Sequence, residues 1–191
     1  RTHLDLACGT GPHIRHFLDA GYQSSGLDLN QPMLEKAQQR CPEARFMLQN
    51  MCDFQLEQQV DLITCFLYSI HYSASIKNLK ACIDSVFKAL KPGGVFCFNA
   101  VDKDLIDNSA KVRHSASLFT THQDIPLQQD FIFESGWFYA GQGDKQSLNL
   151  SIARTCQGVT QQWQDQHPMV AVNFAQLRAL LEPAFEVILL D

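Results

Sequence analysis

Leu4-Asp5-Leu6-Ala7-Cys8-Gly9-Thr10-Gly11 is an alternating apolar run that ends on two glycines, and Pro12 and an amphipathic segment follow it. It reads as a strand, a tight turn and a helix. Glycines at a strand-to-helix turn permit φ > 0 and let a ligand lie against the main chain, and Pro12 suits a first helical turn because its missing N–H needs no partner there. The expectation is a ligand-cradling loop. Spacing argues against a dinucleotide pyrophosphate loop: G-x-G-x-x-G counted from Gly9 needs a small residue where Ile14 stands, and counted from Ala7 it needs one where Pro12 stands.

Outward from this stretch, strands and helices alternate. Ile14, Phe17 and Leu18 recur at helical spacing before Gly21, and the run 24–29 is a second strand. In a doubly wound fold the carboxyl end of that strand faces the ligand crevice, so Asp28 is the candidate for the two hydroxyls of a ribose. Asn30 is the better cap for the helix that starts at Gln31-Pro32, which leaves Asp28 free. Residues 44–48 and 60–66 are further strands, the latter apolar nearly throughout, as a strand covered on both faces should be. A helix over 76–90 and a strand over 95–101 follow.

The opening stretch resembles the first motif of the class I S-adenosylmethionine-dependent methyltransferases, in which an acidic residue, here Asp5, precedes the glycine turn Ala7-Cys8-Gly9-Thr10-Gly11. Ala7 stands where the family commonly has a third glycine. Gln49-Asn50-Met51-Cys52-Asp53-Phe54 resembles the family's adenine segment, with Asn50 in place of the usual Asp, and Leu90-Lys91-Pro92-Gly93-Gly94 before a strand is a further resemblance. Together they span residues 4–101 in order.

The resemblance implies a Rossmann-like, doubly wound α/β fold with a mostly parallel sheet and S-adenosylmethionine as cofactor. It places the methionine part along Leu6, Ala7, Cys8, Gly9, Thr10 and Gly11 beside Asp5, and the ribose on Asp28 next to Leu29. The base lies at Asn50 between Met33 and Met51, with Phe66 completing the set. The implied reaction moves a methyl group to a small-molecule acceptor, an amine nitrogen first, by an in-line displacement that needs no metal. His71, with Tyr68 and Tyr72, is the candidate for handling the acceptor's proton. Two alternatives stand beside it: a non-catalytic cofactor-binding or regulatory domain, and a nicotinamide oxidoreductase, which the missing third glycine disfavours.

Composition fits an ordinary globular domain: 191 residues, 46% hydrophobic and 18% charged. A net charge of −5 with no Lys or Arg run argues against nucleic acid, and no apolar run approaches membrane-spanning length. A cytoplasmic enzyme with a small-molecule acceptor is the default, with a homodimer allowed. Seven cysteines contain no C-x-x-C pair and read as reduced, buried residues, Cys8 in the loop excepted. His13 and His16 lack an acidic third ligand and read as surface histidines, so no metal is expected.

Beyond 101 the pattern changes. Residues 102–126 are polar and weakly periodic, and then 130–134, 147–153 and 159–164 alternate, punctuated by Gly136, by Gly141 to Gly143 and by Gly158. This predicts an antiparallel meander of three or four strands, a lid of about 127–172 inserted into a single domain whose core is 1–101 and 173–191. Such a lid is similar to those of the sugar-amine dimethyltransferases. Phe131, Phe133, Trp137, Phe138 and Tyr139 are then candidates to line an acceptor cavity. A helix through Phe174, Leu177 and Leu181 and a last strand over Phe185 to Leu190 complete the reading. The helices that precede the first strand in the family, and its final antiparallel strand, are not found, so the chain is expected to be a fragment.

Overall fold

Five short segments form the strands of one sheet, and those at 2–6 and 60–65 bury most of their side chains whereas 45–48 buries none. The computed structural model describes residues 1–122 and 125–190. The strands are β1 (Thr2–Leu6), β2 (Gln23–Asp28), β3 (Arg45–Leu48), β4 (Val60–Cys65) and β5 (Leu90–Phe98), all parallel, in the order β3-β2-β1-β4-β5. Helices α1 (Pro12–Asp19), α2 (Gln31–Arg40) and α3 (Ile76–Ala89) connect them, with a 3-10 turn at Ser69–Ser73. Leu4, Leu6 and Ile63 of the central strands are buried, as are Ile14 of α1 and Ile83 and Val86 of α3.

The strand order reverses between β1 and β4. Chain leaving β1 turns one way to α1 and β2, and chain leaving β4 turns the other way to α3 and β5, so their carboxyl-end loops part and leave a crevice. The sequence places the glycine loop at that end of β1.

Caps explain the helix starts. Gly11 at φ 75° precedes Pro12 of α1, the Asn30 side chain accepts the Met33 N–H at α2, and the Ser75 side chain accepts the Asn78 N–H at α3. Gly26 shows why β2 lies so near the loop after β1: a Cβ there would sit 2.7 Å from Cys8 Sγ and 2.9 Å from Cys8 Cβ. Gly26→Ala is therefore expected to cost about 1–3 kcal/mol, the scale of an overpacked core. Part of that loss should return in a Cys8→Ala background, read from urea midpoints of the four variants of the cycle.

The chain divides into two compact units, Arg1–Val101 together with the chain from Val172 on, and Asp102–Ala171. The second is a four-stranded antiparallel meander, β6 (Val112–His122), β7 (Ile125–Tyr139), β8 (Lys145–Cys156) and β9 (Val159–Val170), in chain order and separate from the parallel sheet. Gln157 and Gly158, at φ 49° and 76°, make the two-residue turn between β8 and β9. Phe131, Phe133, Trp137 and Tyr139 share one face by the period of the strand, and Phe138 lies on the other.

Four expectations are corrected. Within the segment expected to be polar and weakly periodic lies a strand, β6, at the sheet edge, whose residues 112–119 are exposed and need no apolar alternation. Gly136 lies inside β7, where a Cβ would come within 3.0 Å of the Ala110 carbonyl, so it marks a close approach and not a break. β5 begins at Leu90, since Lys91 to Gly94 bulge out between the pairs Val60↔Leu90 and Leu62↔Val95. After α4 (Phe174–Leu181), residues 185–190 form no strand, and Ile188 and Leu190 are exposed: a run of apolar residues becomes a strand only where a neighbour takes its backbone hydrogen bonds.

Candidate functional site

The loop Ala7 to Gly11 is held in an unusual conformation. Ala7, Gly9 and Gly11 all have positive φ, at 51°, 53° and 75°, while Cys8 N–H donates to the Leu27 carbonyl and Gly11 N–H to the Cys8 carbonyl. The alternation folds the main chain into a shallow cradle. At Gly9 a Cβ would come no closer than 3.8 Å to Met33 Sδ, so the space over that residue is open. For an L-residue such as Ala7 the left-handed region costs about 1–2 kcal/mol, and glycine returns about 0.4–1 kcal/mol of that through the unfolded chain. Ala7→Gly is thus expected to stabilise the protein by about 0.5–1 kcal/mol, seen as a higher urea midpoint with an unchanged slope.

The second wall is the loop after β4. Leu67 and Tyr68 are consecutive non-glycine residues at φ 54° and 61°, and Ala74 follows at 66°. Strain of this kind persists where the surroundings enforce it, most often at binding loops. Between the two loops lies a cleft of about 220 Å³, lined by Ala7, Gly9, Thr10, His13, Met33 and Phe66 among others.

Asp28 is tied into the cradle. Its Oδ2 accepts the Gly9 N–H at 2.9 Å and its Oδ1 the Asn30 N–H at 2.8 Å. The expectation that Asn30 caps α2 holds, yet Asp28 is not left free by it. Each carboxylate oxygen keeps a second lone pair, so the group can still accept two hydroxyls.

Beneath the cradle runs a buried polar chain produced by strand register. His3 stands beside Ser24 on β2, and Asp5 beside Thr64 on β4. His3 Nδ1 lies 2.6 Å from Ser24 Oγ and its Nε2 2.8 Å from Thr64 Oγ1, and the Thr64 hydroxyl donates to Asp5 Oδ1 at 2.6 Å. A carboxylate only accepts, so Thr64 spends its one proton on Asp5 and takes one from His3 Nε2–H, which leaves Nδ1 to accept from Ser24. Burial pushes the His3 imidazole down to about 4, so this order is kept at neutral pH. The other oxygen of Asp5, on a residue 1% exposed, has no hydrogen-bond partner.

His13 approaches that oxygen. Its Nδ1 is 3.5 Å from Asp5 Oδ2, and its ring meets the edge of Phe66 at 5.1 Å. The Asp5 carboxylate holds the His13 imidazole above its ordinary value.

The structure thus brings Ala7, Cys8, Gly9, Thr10, Met33 and Phe66 to one cleft, with Asp28 bound to its floor. Leu6 and Asp5 lie beneath it, buried. Leu29 is exposed, the Asn50 side chain accepts the Cys52 N–H and Met51 is buried, and none of the three is among the residues lining the cleft. The Cys8 thiol turns inward against Gly26, and burial with the nearby Asp5 and Asp28 carboxylates pushes it up, so only its backbone serves the loop. Tyr68 and Tyr72 are partly exposed, but His71 is fully buried and its Nε2 accepts the Val101 N–H at 2.9 Å, which makes it a strut between the 3-10 turn and the chain that follows β5. His13, read as a surface residue, is the cleft histidine; the sign of it in the sequence was its place two residues after the last loop glycine. Among the described residues no group of three or more His, Cys, Asp or Glu could hold a metal ion, and no helix is long and apolar enough to cross a membrane.

Comparison with known proteins places this cleft in a family context. Residues 4–94 match the methyltransferase domain family. Over 92 residues the chain is 36% identical to a dTDP-3-amino-3,4,6-trideoxy-alpha-D-glucopyranose N,N-dimethyltransferase of Streptomyces venezuelae, covering 48% of this chain and 39% of the relative. It is 35% identical, again over 92 residues, to a dTDP-4-amino-2,3,4,6-tetradeoxy-D-glucose N,N-dimethyltransferase of Saccharopolyspora spinosa, covering 48% and 37%. The matched part is thus less than half the length of these curated relatives. In fold the chain is similar to DesVI of Streptomyces venezuelae, with a TM-score of 0.76 at 22% identity, covering 96% of this chain and 74% of that one. It is also similar to an amino pentose methyltransferase from Micromonospora echinaspora, with a TM-score of 0.77 at 19% identity and coverage of 96% and 74%.

Proposed function

We propose that this chain, which resembles the class I S-adenosylmethionine-dependent methyltransferases and carries a methyltransferase domain match over residues 4–94, transfers a methyl group from S-adenosylmethionine to the amine of a small-molecule acceptor. The observation that carries this reading is the crevice at the strand-order reversal, with three left-handed loop residues on one wall and Asp28 fixed to Gly9 at its floor. The residues fit the cofactor on two counts. The open space over Gly9 admits a ligand against the main chain, and Asp5 Oδ2 is a buried acceptor with no hydrogen bond, approached by the His13 imidazole at 3.5 Å.

When bound, S-adenosylmethionine supplies an electrophilic methyl group on a sulfonium. The backbone of Leu6 to Gly11 with Asp5 would hold its amino-acid end, Asp28 its ribose hydroxyls, and Met33 and Phe66 its apolar surface, with Asn50 and Met51 on the segment assigned to the base. The protein's task in such a displacement is to align the nucleophile and exclude water, and needs neither metal nor a covalent intermediate. Tyr68 of the strained loop and Tyr72 of the 3-10 turn after it are exposed and are the groups proposed to meet the acceptor. His71 keeps that loop in place through Val101. The relatives' printed names make amino sugars the first acceptors to try.

The test is methyl transfer from methyl-labelled S-adenosylmethionine to a panel of amino sugars, other amines and phenols, with and without a chelator. Labelled amine product unaffected by chelation is expected. Labelling of phenols alone would overturn the amine assignment, and activity lost to the chelator and restored by one ion would overturn the metal-free reading.

A further inference from the structure

The histidine in the cleft is backed by a carboxylate whose bonding is incomplete in a particular way. Register alone commits Asp5 Oδ1 to Thr64, and through Thr64 to His3 and Ser24, so that oxygen cannot turn to another partner without breaking a buried chain of three short bonds. Oδ2 is left as a buried anionic acceptor with no hydrogen bond. Among the described residues the cationisable side chain within ion-pair distance of it is His13, at 3.5 Å, which is an approach between charges and not a closed bond. His13 is about one-third exposed and lines the cleft.

We propose that Asp5 Oδ2 is a cation site that His13 and the bound cofactor share in alternation: protonated His13 occupies it in the empty protein, and a cationic group of the cofactor takes it when His13 gives up its proton. The inference rests on the reading of the cleft as an S-adenosylmethionine site. Charge balances, because one positive charge leaves Oδ2 as another arrives, and the proton goes to solvent. Two cations facing one buried oxygen would repel each other at the strength of a poorly screened contact, so simultaneous occupation is disfavoured.

The surroundings leave His13 as the group that titrates. From β1, His3 is held neutral by burial and Asp5 is the anion itself. The Cys8 thiol is pushed up and stays protonated. Both oxygens of Asp28, at the end of β2, accept backbone N–H groups. The loop after β4 presents the uncharged Phe66. On α1, Arg15 is paired with Asp19 and Glu43, and the His16 ring lies against Phe17. The 3.5 Å approach of His13 Nδ1 to Asp5 Oδ2 forms the pair, and the upward shift of His13, with Asp5 as its first cause, agrees with it.

The cofactor carries two candidate cations, the α-ammonium and the sulfonium, and ligands separate them. S-Adenosylmethionine has both, its thioether product S-adenosylhomocysteine has the ammonium alone, and 5′-methylthioadenosine has neither. Calorimetry between pH 7 and 5.5 stays below the range in which an α-amino group titrates, and buffers of different ionisation enthalpy count the protons released. Release approaching one proton is expected with S-adenosylmethionine, with affinity falling toward about tenfold per pH unit, the slope that linkage assigns to one proton. The same release with the thioether identifies the ammonium as the cation, and its loss there identifies the sulfonium. 5′-Methylthioadenosine should release none, and His13→Gln should bind with no pH dependence of this kind. Equal release with all three ligands, or release undiminished in His13→Gln, would overturn the proposal. Binding without release would do the same while leaving the cofactor reading intact, whereas no binding of either adenosyl amino acid at any pH would refute that reading itself.

Discussion

Lowering the pH from 6.5 to 4 is expected to remove about 3 kcal/mol of folding stability through His3 alone, since its imidazole is buried without charge and is pushed down to about 4 from an ordinary 6.5. The unfolded chain takes up a proton at this histidine as the pH passes below 6.5, and the folded protein refuses it until about 4. The unfolded state therefore binds more protons across that window, and stability rises with pH through it. His13 acts in a different window: its folded value is raised, so its contribution is present below 6.5 and is lost as the pH rises above that. Glu43, held below its ordinary value first by its own backbone N–H and then by Arg15, Glu57 by Arg45, and Asp61 by Lys91 and Thr2, lose their contributions only below about 4.5. Urea unfolding at intervals from pH 7 to 4.5 should show most of the loss. In His3→Gln the slope should flatten whatever the variant's absolute stability, and an unchanged slope would assign the acid sensitivity elsewhere.

The second large effect concerns Asp28. Asp28→Ala is expected to weaken S-adenosylmethionine binding by about 1–3 kcal/mol, the scale of hydrogen bonds lost to a charged group. Its bonds to the Gly9 and Asn30 N–H groups add a structural share, because without them the cradle is no longer tied to β2. Asp28→Asn separates the two: one amide oxygen can keep a single backbone bond but cannot serve two hydroxyls as well. Calorimetry should find Asn between wild type and Ala in affinity and near wild type in stability. Unchanged affinity in both variants would remove Asp28 from the site.

These two residues show what could be read from the chain and what could not. The loop at residues 4–11 was legible because its signals are local: an alternating run, glycines where φ must be positive, a proline where a helix begins. The place of Asp28 followed from the strand before it. Its bonds to the loop did not, since they join residues 19 apart whose distance depends on the pairing of β1 with β2. The role of His13 is hidden in the sequence for the same reason. A histidine lacking nearby acidic residues reads as a surface group, and its carboxylate partner lies on β1 beneath the loop. The chain from Ser24 through His3 and Thr64 to Asp5 exists only once three strands are in register. The exposed edge strand β6 was missed because it carries no burial pattern, and the run at 185–190 misled because apolar residues without a pairing neighbour look the same on paper as a strand.

The central claim is that the cleft between the loops after β1 and β4 is where S-adenosylmethionine binds. Hydrogen exchange of the backbone amides with and without saturating S-adenosylmethionine tests it most directly, because the proposed contacts are largely to main chain. Slowed exchange is predicted over Leu6 to His13 and around Asp28 to Met33, and no comparable change in the meander strand β9. Protection confined to other segments, or none at a concentration where binding is complete, would contradict the account.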